Sequence, residues 1–323
     1  MNGKCVLADF TQRCLHRAMR HFFLFLVLSS LTHNACAHTP PPPGFIAVRD
    51  LDYAGQDNSR QKLDLYLPEK PTERPLPLII YIHGGGWEGG DKSDTGLLFE
   101  LIKNGGYAGA SIGYRFTQEQ KWPAQIHDVK AALRWLKAHA KDHGIDADKI
   151  GLTGISAGGH LVSLLGTSGD VKELDATVGT AGELPKIACV ANFCGPANFL
   201  TFPGKGSIID PEKPGTALFK LFGGPMSQHF DAAEAASPVT YVSSDDPPFL
   251  HIHGSADNLV PYAQAQEFDA ALEKVGVSST LLTGKDAPHV FFSADLLGKM
   301  RVFFDKHLQG KPGEIKEGPI TLP

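Results

Sequence analysis

The sequence predicts an α/β domain, a mostly parallel, doubly wound sheet with helices on both faces and a small cap insertion. Three observations carry this. Short apolar runs alternate with stretches of helical period, the pattern of parallel strands joined by crossover helices. Two of the runs, Leu76–Ile82 and residues 247–253, are apolar with little alternation, as expected of strands buried on both faces. The turn Gly154-Ile155-Ser156-Ala157-Gly158 joins a strand directly to a helix of small residues. Such a junction is too sharp for side chains at both flanks, and glycine removes them.

Taken in order, residues 45–48 and 62–67 alternate apolar and polar on either side of Asn58-Ser59 and predict an antiparallel hairpin. The strand at Leu76–Ile82 ends in His83-Gly84-Gly85-Gly86-Trp87, and residues 107–112 form a further strand. Pro123 sits where a helix should begin; Ile126, Val129, Leu133 and Leu136 keep helical spacing, and Gly144 ends it. Residues 149–155 supply the strand before Ser156, and residues 157–165 the helix after it. A strand at 188–194 closes at Gly195-Pro196. Residues 197–240, irregular and rich in Phe, Pro and Gly, read as a cap-like insertion. The strand at 247–253, a helix at 262–275, a strand at 278–283 and a helix at 292–308 complete a domain spanning 45–309. The Pro/Gly-rich tail, 310–323, reads as a surface extension.

A chain of 323 residues with 42% hydrophobic content supports one large α/β domain with a sizeable core. A formal net charge of −5 and no long basic run leave no electrostatic footprint for nucleic acid. Arg17 and Arg20 precede the apolar run 22–28, and Ala35-Cys36-Ala37 places small residues for cleavage, so residues 1–37 read as a signal peptide. Met19 offers a second, tidier start for it. A lipoprotein signal at Cys36 is the rival, which His33-Asn34-Ala35 fit poorly. The run is too short to span a bilayer comfortably, so no stable membrane insertion is expected after cleavage. Residues 38–44 form a stiff Pro-rich leader, and the expected location is secreted or periplasmic. Of five cysteines, Cys5, Cys14 and Cys36 fall in the signal segment. Cys189 and Cys194 are about 16 Å apart on an extended strand, too far for a disulfide, and read as free and buried. No Cys/His spacing suits a metal, and no cofactor is implied.

A serine hydroxyl is a weak nucleophile and needs a base, itself oriented by an acid. Ser156 has a strand before it and a helix after it. Ser111, in the decoy Gly109-Ala110-Ser111-Ile112-Gly113, is followed by Tyr114-Arg115-Phe116 and a polar run instead. Asp257, in the loop after the strand at 247–253, is the acid candidate, and a helix cap is its alternative role. Asp286 competes as acid but lies three residues from His289 in one loop. His289, after the last strand, is the base candidate; His253 and His160 are its rivals among 14 histidines. Backbone amides of Gly85, Gly86 and Ala157 fit an oxyanion hole. His83 reads as a brace for that loop, while Trp87 either lines a substrate pocket or packs the loop. Phe199, Phe202, Phe219, Phe222 and Phe230 either shape an apolar pocket or pin the insertion, and ordinary packing is the favoured reading. Arg115 and Asp128 read as a structural pair.

Together these residues resemble the α/β-hydrolase superfamily, and within it the exported esterase/lipase group. That group includes bifunctional acetylxylan/feruloyl esterases and hormone-sensitive-lipase-like carboxylesterases. The matching pieces are His83-Gly-Gly-Gly-Trp87, Tyr114-Arg115, Trp122-Pro-Ala with Asp128 and Leu133-Arg-Trp135, Gly154-Ile-Ser-Ala-Gly-Gly159, Asp246-Pro-Pro-Phe249, and His253-Gly-Ser-Ala-Asp257 with Val260-Pro261. The likeness covers roughly residues 45–308. It implies the α/β-hydrolase fold, catalysis by Ser156, Asp257 and His289 in that chain order, and hydrolysis of short-chain or aromatic acyl esters. Acetyl or feruloyl groups on plant polysaccharide are among the implied substrates, so the expected partner is a small ester or acylated carbohydrate. Ala287-Pro288 stand where relatives often carry glycine. An arylformamidase-like amidase is the alternative enzyme, because His-Gly-Gly-x-Trp occurs there too. The alternative of another class is a binding protein on the same scaffold, which would normally have lost one of the three residues.

Overall fold

The computed structural model describes residues 39–175, 178–203 and 206–321. The expected signal peptide, with Cys5, Cys14, Met19 and Cys36, lies outside the described residues.

The strands are β1 (Phe45–Asp52), β2 (Lys62–Pro68), β3 (Leu76–Ile82), β4 (Ala108–Ile112), β5 (Ile145–Ile155), β6 (Ile187–Phe193), β7 (Phe249–Gly254), β8 (Ser279–Gly284) and β9 (Gly318–Pro319). They form one sheet in the order β1-β2-β4-β3-β5-β6-β7-β8-β9. The β1–β2 and β2–β4 pairs are antiparallel, and every pair from β4 to β9 is parallel. The helices are α1 (Gly96–Ile102), α2 (Ala124–His139), α3 (Ala157–Thr167), α4 (Ala217–Phe222), α5 (Phe230–Ala236), α6 (Ala263–Lys274) and α7 (Ala294–Gln309).

Alternate residues of β3 enter two different cores, which is why its sequence is apolar without a break. Leu78, Ile80 and Ile82 pack with Leu133 of α2, Leu161 of α3 and Phe268 of α6. Ile79 and Tyr81 pack on the opposite face with Leu98 and Ile102 of α1 and Phe304 of α7. Cys189 and Cys194 are free and buried, as expected. No helix of the described residues is long and apolar enough to cross a membrane.

Three features differ from the sequence reading. Helix α1 was not anticipated, although Leu97, Leu98, Leu101 and Ile102 fall on one buried stripe. The segment 197–240 is not wholly irregular, since it contains α4 and α5. The tail is more than a surface extension: Gly318 and Pro319 pair with Leu282 and Thr283, and the Ile320 amide donates to the Thr283 carbonyl at 2.8 Å. Burial of Ile320 in the second core holds the segment there.

Candidate functional site

The site lies where β3, β5, β7 and β8 end, at the carboxyl edge of the sheet, as expected for a doubly wound fold. Ser156 is the single residue between β5 and α3, with φ 56° and ψ −119°. This is a left-handed conformation that a serine adopts only when its surroundings enforce it. The enforcement comes from close backbone approach. A Cβ on Gly158 would overlap the Ile82 carbonyl oxygen and lie 2.6 Å from that of His83. The Ser156 amide donates to the Phe193 carbonyl at 2.8 Å, and its carbonyl accepts from the His160 amide at 2.9 Å. Ser156 is thereby fixed between the ends of β3 and β6.

Beside it runs the loop after β3. Gly85, Gly86 and Trp87 follow one another at φ 111°, 60° and 58°. The Gly85 carbonyl accepts from the amides of Glu88 and Gly89, while the Gly85 and Gly86 amides donate to no backbone group of the described residues. Ala157 opens α3, so its amide has no intrahelical acceptor. Gly85 and Gly86 line the same cavity as Ser156, and Ala157, buried beside it, is the next residue in the chain, where the helix terminus adds partial positive charge. His83 braces the loop: its Nδ1 lies 2.7 Å from the Gly84 carbonyl and its ring stacks on Tyr114 at 4.5 Å. Burial lowers its pKa and keeps the ring neutral.

The loops after β7 and β8 bring the candidate acid and base together. His289 Nδ1 is 2.6 Å from Asp257 Oδ2, and the Asp257 side chain is fully buried. Asp257 Oδ1 accepts from the amides of Leu259 at 2.8 Å and Val260 at 3.0 Å, which closes a turn in the loop; it does not cap the following helix, which begins at Ala263 with Tyr262 at its N-cap. Burial works to raise the Asp257 pKa, but the hydrogen bonds from His253 and His289 reverse it and hold the carboxyl well below the usual range. His289 Nε2 lies 3.8 Å from Cys194 Sγ. Ser156 and His289 line one cavity without a direct hydrogen bond among the described contacts, a looseness common before substrate binds.

The rivals are placed elsewhere. Ser111 is fully buried within β4. Asp286 is exposed, and its amide donates to Ser255 Oγ at 2.8 Å. His160 is fully buried; its Nδ1 accepts from Trp87 Nε1 at 3.2 Å, so Nε2 carries the proton and donates to the Ala236 carbonyl at 2.7 Å. Burial pushes its pKa down to about 4. His253 is also buried, with Nε2 3.0 Å from Asp257 Oδ2 and 2.8 Å from the Val260 carbonyl. Neither ring can take a proton from Ser156.

The cavity over Ser156 and His289 has a volume of about 320 Å³. Apart from those two side chains and the glycine loop, its walls are apolar: Phe202, Ile209, Leu218, Leu259, Val260 and Val290 among them. Trp87 both lines it and packs the loop, since it is 4% exposed and its ring meets His160 and Phe199 edge-on. Among the five phenylalanines, Phe202 lines the cavity, Phe199 and Phe222 pack together, Phe219 is half-buried and Phe230 is exposed. Arg115 and Asp128 pair as expected, Nη2 to Oδ1 at 2.7 Å and Nε to Oδ2 at 2.9 Å. Sequence reasoning missed Ile209 and Leu218 as cavity walls, and Cys194 as a neighbour of His289. Cys194, Asp257 and His289 bring potential metal-ligating atoms within 4.8 Å of one another. The carboxylate is saturated by protein donors, so the set fits a hydrogen-bond relay better than a metal site.

Sheet order, elbow and loop positions together define the α/β-hydrolase fold. Residues 63–272 match the BD-FAE family, and the chain belongs to it. Among solved structures it is similar to a truncated carbohydrate esterase from gut microbiota, with a TM-score of 0.76 and 27% identity, covering 84% of this chain and 100% of that one. The bifunctional GH43-CE of Bacteroides eggerthii aligns with a TM-score of 0.75 and 30% identity, covering 81% of this chain and 35% of that one. LipM of Mycobacterium tuberculosis, named a probable carboxylic ester hydrolase, is 30% identical over 254 residues. The match takes in 78% of this chain and 57% of LipM.

Proposed function

We propose that the protein is a serine carboxylic-ester hydrolase acting on short-chain or aromatic acyl esters, including acetyl or feruloyl groups on plant polysaccharide, outside the cytoplasm. The observation that carries this is the 2.6 Å bond from His289 to buried Asp257, with His289 lining the same cavity as Ser156 and two glycines whose amides donate to no backbone group of the described residues. In the proposed reaction His289 Nε2 takes the Ser156 hydroxyl proton as Oγ bonds to the ester carbon. The amides of Gly85, Gly86 and Ala157 hold the oxyanion, each such donor being worth about 10²–10³ in rate. His289 then returns the proton to the departing alkoxide. Water hydrolyses the acyl-enzyme through the same base, and Asp257 stabilises the imidazolium in both halves.

The apolar walls support an uncharged acyl group rather than a charged one. The likeness to a carbohydrate esterase and to the GH43-CE protein supports an acylated carbohydrate as the source of that group. The test is acid release from acetylated xylan fragments and methyl ferulate, with p-nitrophenyl acetate as reference. Release by the wild type and none by Ser156→Ala is the expected result, with Ser111→Ala largely unaffected. Turnover of p-nitrophenyl acetate alone would leave a general carboxylesterase. Undiminished turnover by folded Ser156→Ala would overturn the proposal.

A further inference from the structure

We infer that His253 is a positioning residue for the acid–base pair: its buried Nε2–H grips the same Asp257 oxygen that His289 uses. The inference rests on the Ser156–His289–Asp257 reading above. His253 belongs to the last turn-free stretch of β7, four residues before Asp257, and is 1% exposed. Its Nε2 has two neighbours, Asp257 Oδ2 at 3.0 Å and the Val260 carbonyl oxygen at 2.8 Å. A carbonyl can only accept, so Nε2 carries the proton and shares it between the two oxygens.

That bond completes the carboxylate. An ionised carboxyl offers about four lone-pair sites. The Leu259 and Val260 amides occupy those on Oδ1, and His289 and His253 occupy those on Oδ2. The two amides alone leave Oδ2 anchored only through the ring it is meant to orient. His253, fixed in the sheet, supplies an anchor that does not move with His289. The two loops are also joined through their backbones, Ser255 N to the Gly284 carbonyl at 2.8 Å and Ala256 N to the Ala287 carbonyl at 3.0 Å. Together these bonds set the Asp257 carboxylate relative to the His289 ring from the protein side.

The two halves of the shared hydrogen bond have separable consequences. Val260 is a wall of the cavity, so losing its tie alters the fit of the acyl group and reads out in KM. Asp257 acts through His289, so losing its tie reads out in kcat.

The test compares His253→Gln with His253→Asn and His253→Phe, using p-nitrophenyl acetate at saturating and limiting concentrations. A Gln amide reaches the position of Nε2, whereas an Asn amide stops at that of Nδ1 and Phe has no donor. The Asn and Phe proteins, which lose both ties, are expected to lose kcat by about 10- to 100-fold together with a smaller rise in KM, and the Gln protein to recover most of the kcat. Circular dichroism checks folding, and if the Phe protein does not fold the Gln–Asn comparison still decides. Equal kcat for the Gln and Asn proteins, or a change confined to KM, overturns the inference. Ser156→Ala run in parallel separates the two levels. If it is inactive while the His253 variants match wild type, only the role of His253 fails; if it remains active, the underlying reading fails.

Discussion

Replacing Asp257 by Asn is the sharpest test of the proposed relay, because the structure dictates how the amide must sit. The carboxylate accepts from four donors. An Asn side chain has one carbonyl oxygen and one NH₂. The Leu259 and Val260 amides belong to the backbone and stay where they are, so the oxygen turns to them and the NH₂ faces the two histidines. His289 Nδ1 then has to accept rather than donate, and its proton moves to Nε2, the atom that should receive the Ser156 proton. A base held in the wrong tautomer loses about 10⁴ in kcat, or about 5 kcal/mol of transition-state stabilisation. Steady-state hydrolysis of p-nitrophenyl acetate by purified wild-type and Asp257→Asn protein measures it, with KM expected to change little. A loss below about tenfold would refute the assignment of Asp257 as the orienting acid. Asp286→Asn, in an exposed loop, is expected to retain activity. The stability sign follows from the depressed Asp257 pKa, which burial opposes and the two histidine bonds produce. Its stabilising contribution is complete above the ordinary carboxyl value of about 3.9 and is lost as pH falls below that. The Asn protein is therefore expected to melt lower than wild type at pH 7, with the gap closing only in strong acid.

Three further outcomes are expected. Gly158→Ala forces the Ile82 and His83 carbonyls apart from a new Cβ, displacing Ser156 by about 1 Å, and should lower kcat about 10²-fold in a protein that circular dichroism shows to be folded. Arg115→Met strips the bidentate partner from fully buried Asp128, leaving Gln61 Nε2 and the backbone amide of residue 115, and should reduce unfolding free energy in urea by about 3–5 kcal/mol. Burial, together with Asp170 and Asp245 and against bonds from Ser243, pushes the Asp246 pKa up to about 6. Its charged form therefore weakens the fold above that pH and not below the ordinary carboxyl value. After allowance for solvent screening, Asp246→Asn should gain about 1 kcal/mol, or about 2 °C in Tm, at pH 8 and nothing at pH 3.5.

The sequence revealed those parts whose signal is local. The run Leu76–Ile82 was legible because both faces of β3 are buried, so no polar residue interrupts it. The elbow was legible because Gly154 and Gly158 answer to the close approach of β3. Features that depend on distant partners were not. Strand β9 is two residues long, and one of them is a proline, tolerated because an edge strand needs few amides; only its pairing with Leu282 and Thr283 defines it. Ile209 and Leu218 became cavity walls through the path of the insertion, which no periodicity describes. The sequence favours His289 over His253 and His160 by its place after the last strand. The partners that bury the two rivals, Val260 and Asp257 for one and Trp87 and Ala236 for the other, lie far apart in the chain or across a loop and were not legible.

Backbone conformation explains why that geometry was hidden. Among the described residues, the non-glycine positions with positive φ are Asp50, Asp57, Trp87, Ser156, Cys194 and Asp286. The last four directly follow or lie close after β3, β5, β6 and β8, at the edge of the sheet where the candidate site sits. Each such conformation costs on the order of 1–3 kcal/mol in residues with a Cβ, and none carries a sequence signal comparable to glycine. At Ser156 it lifts the hydroxyl clear of the sheet; at Trp87 it turns the ring to His160 while Gly85 and Gly86 line the cavity. At Cys194 it sets Sγ against His289 Nε2. The two apolar cores on either side of β3 supply the rigidity that holds these turns. The sheet thus concentrates unfavourable backbone at one edge, and the same turns that raise its energy give the proposed nucleophile, oxyanion amides and base their relative positions.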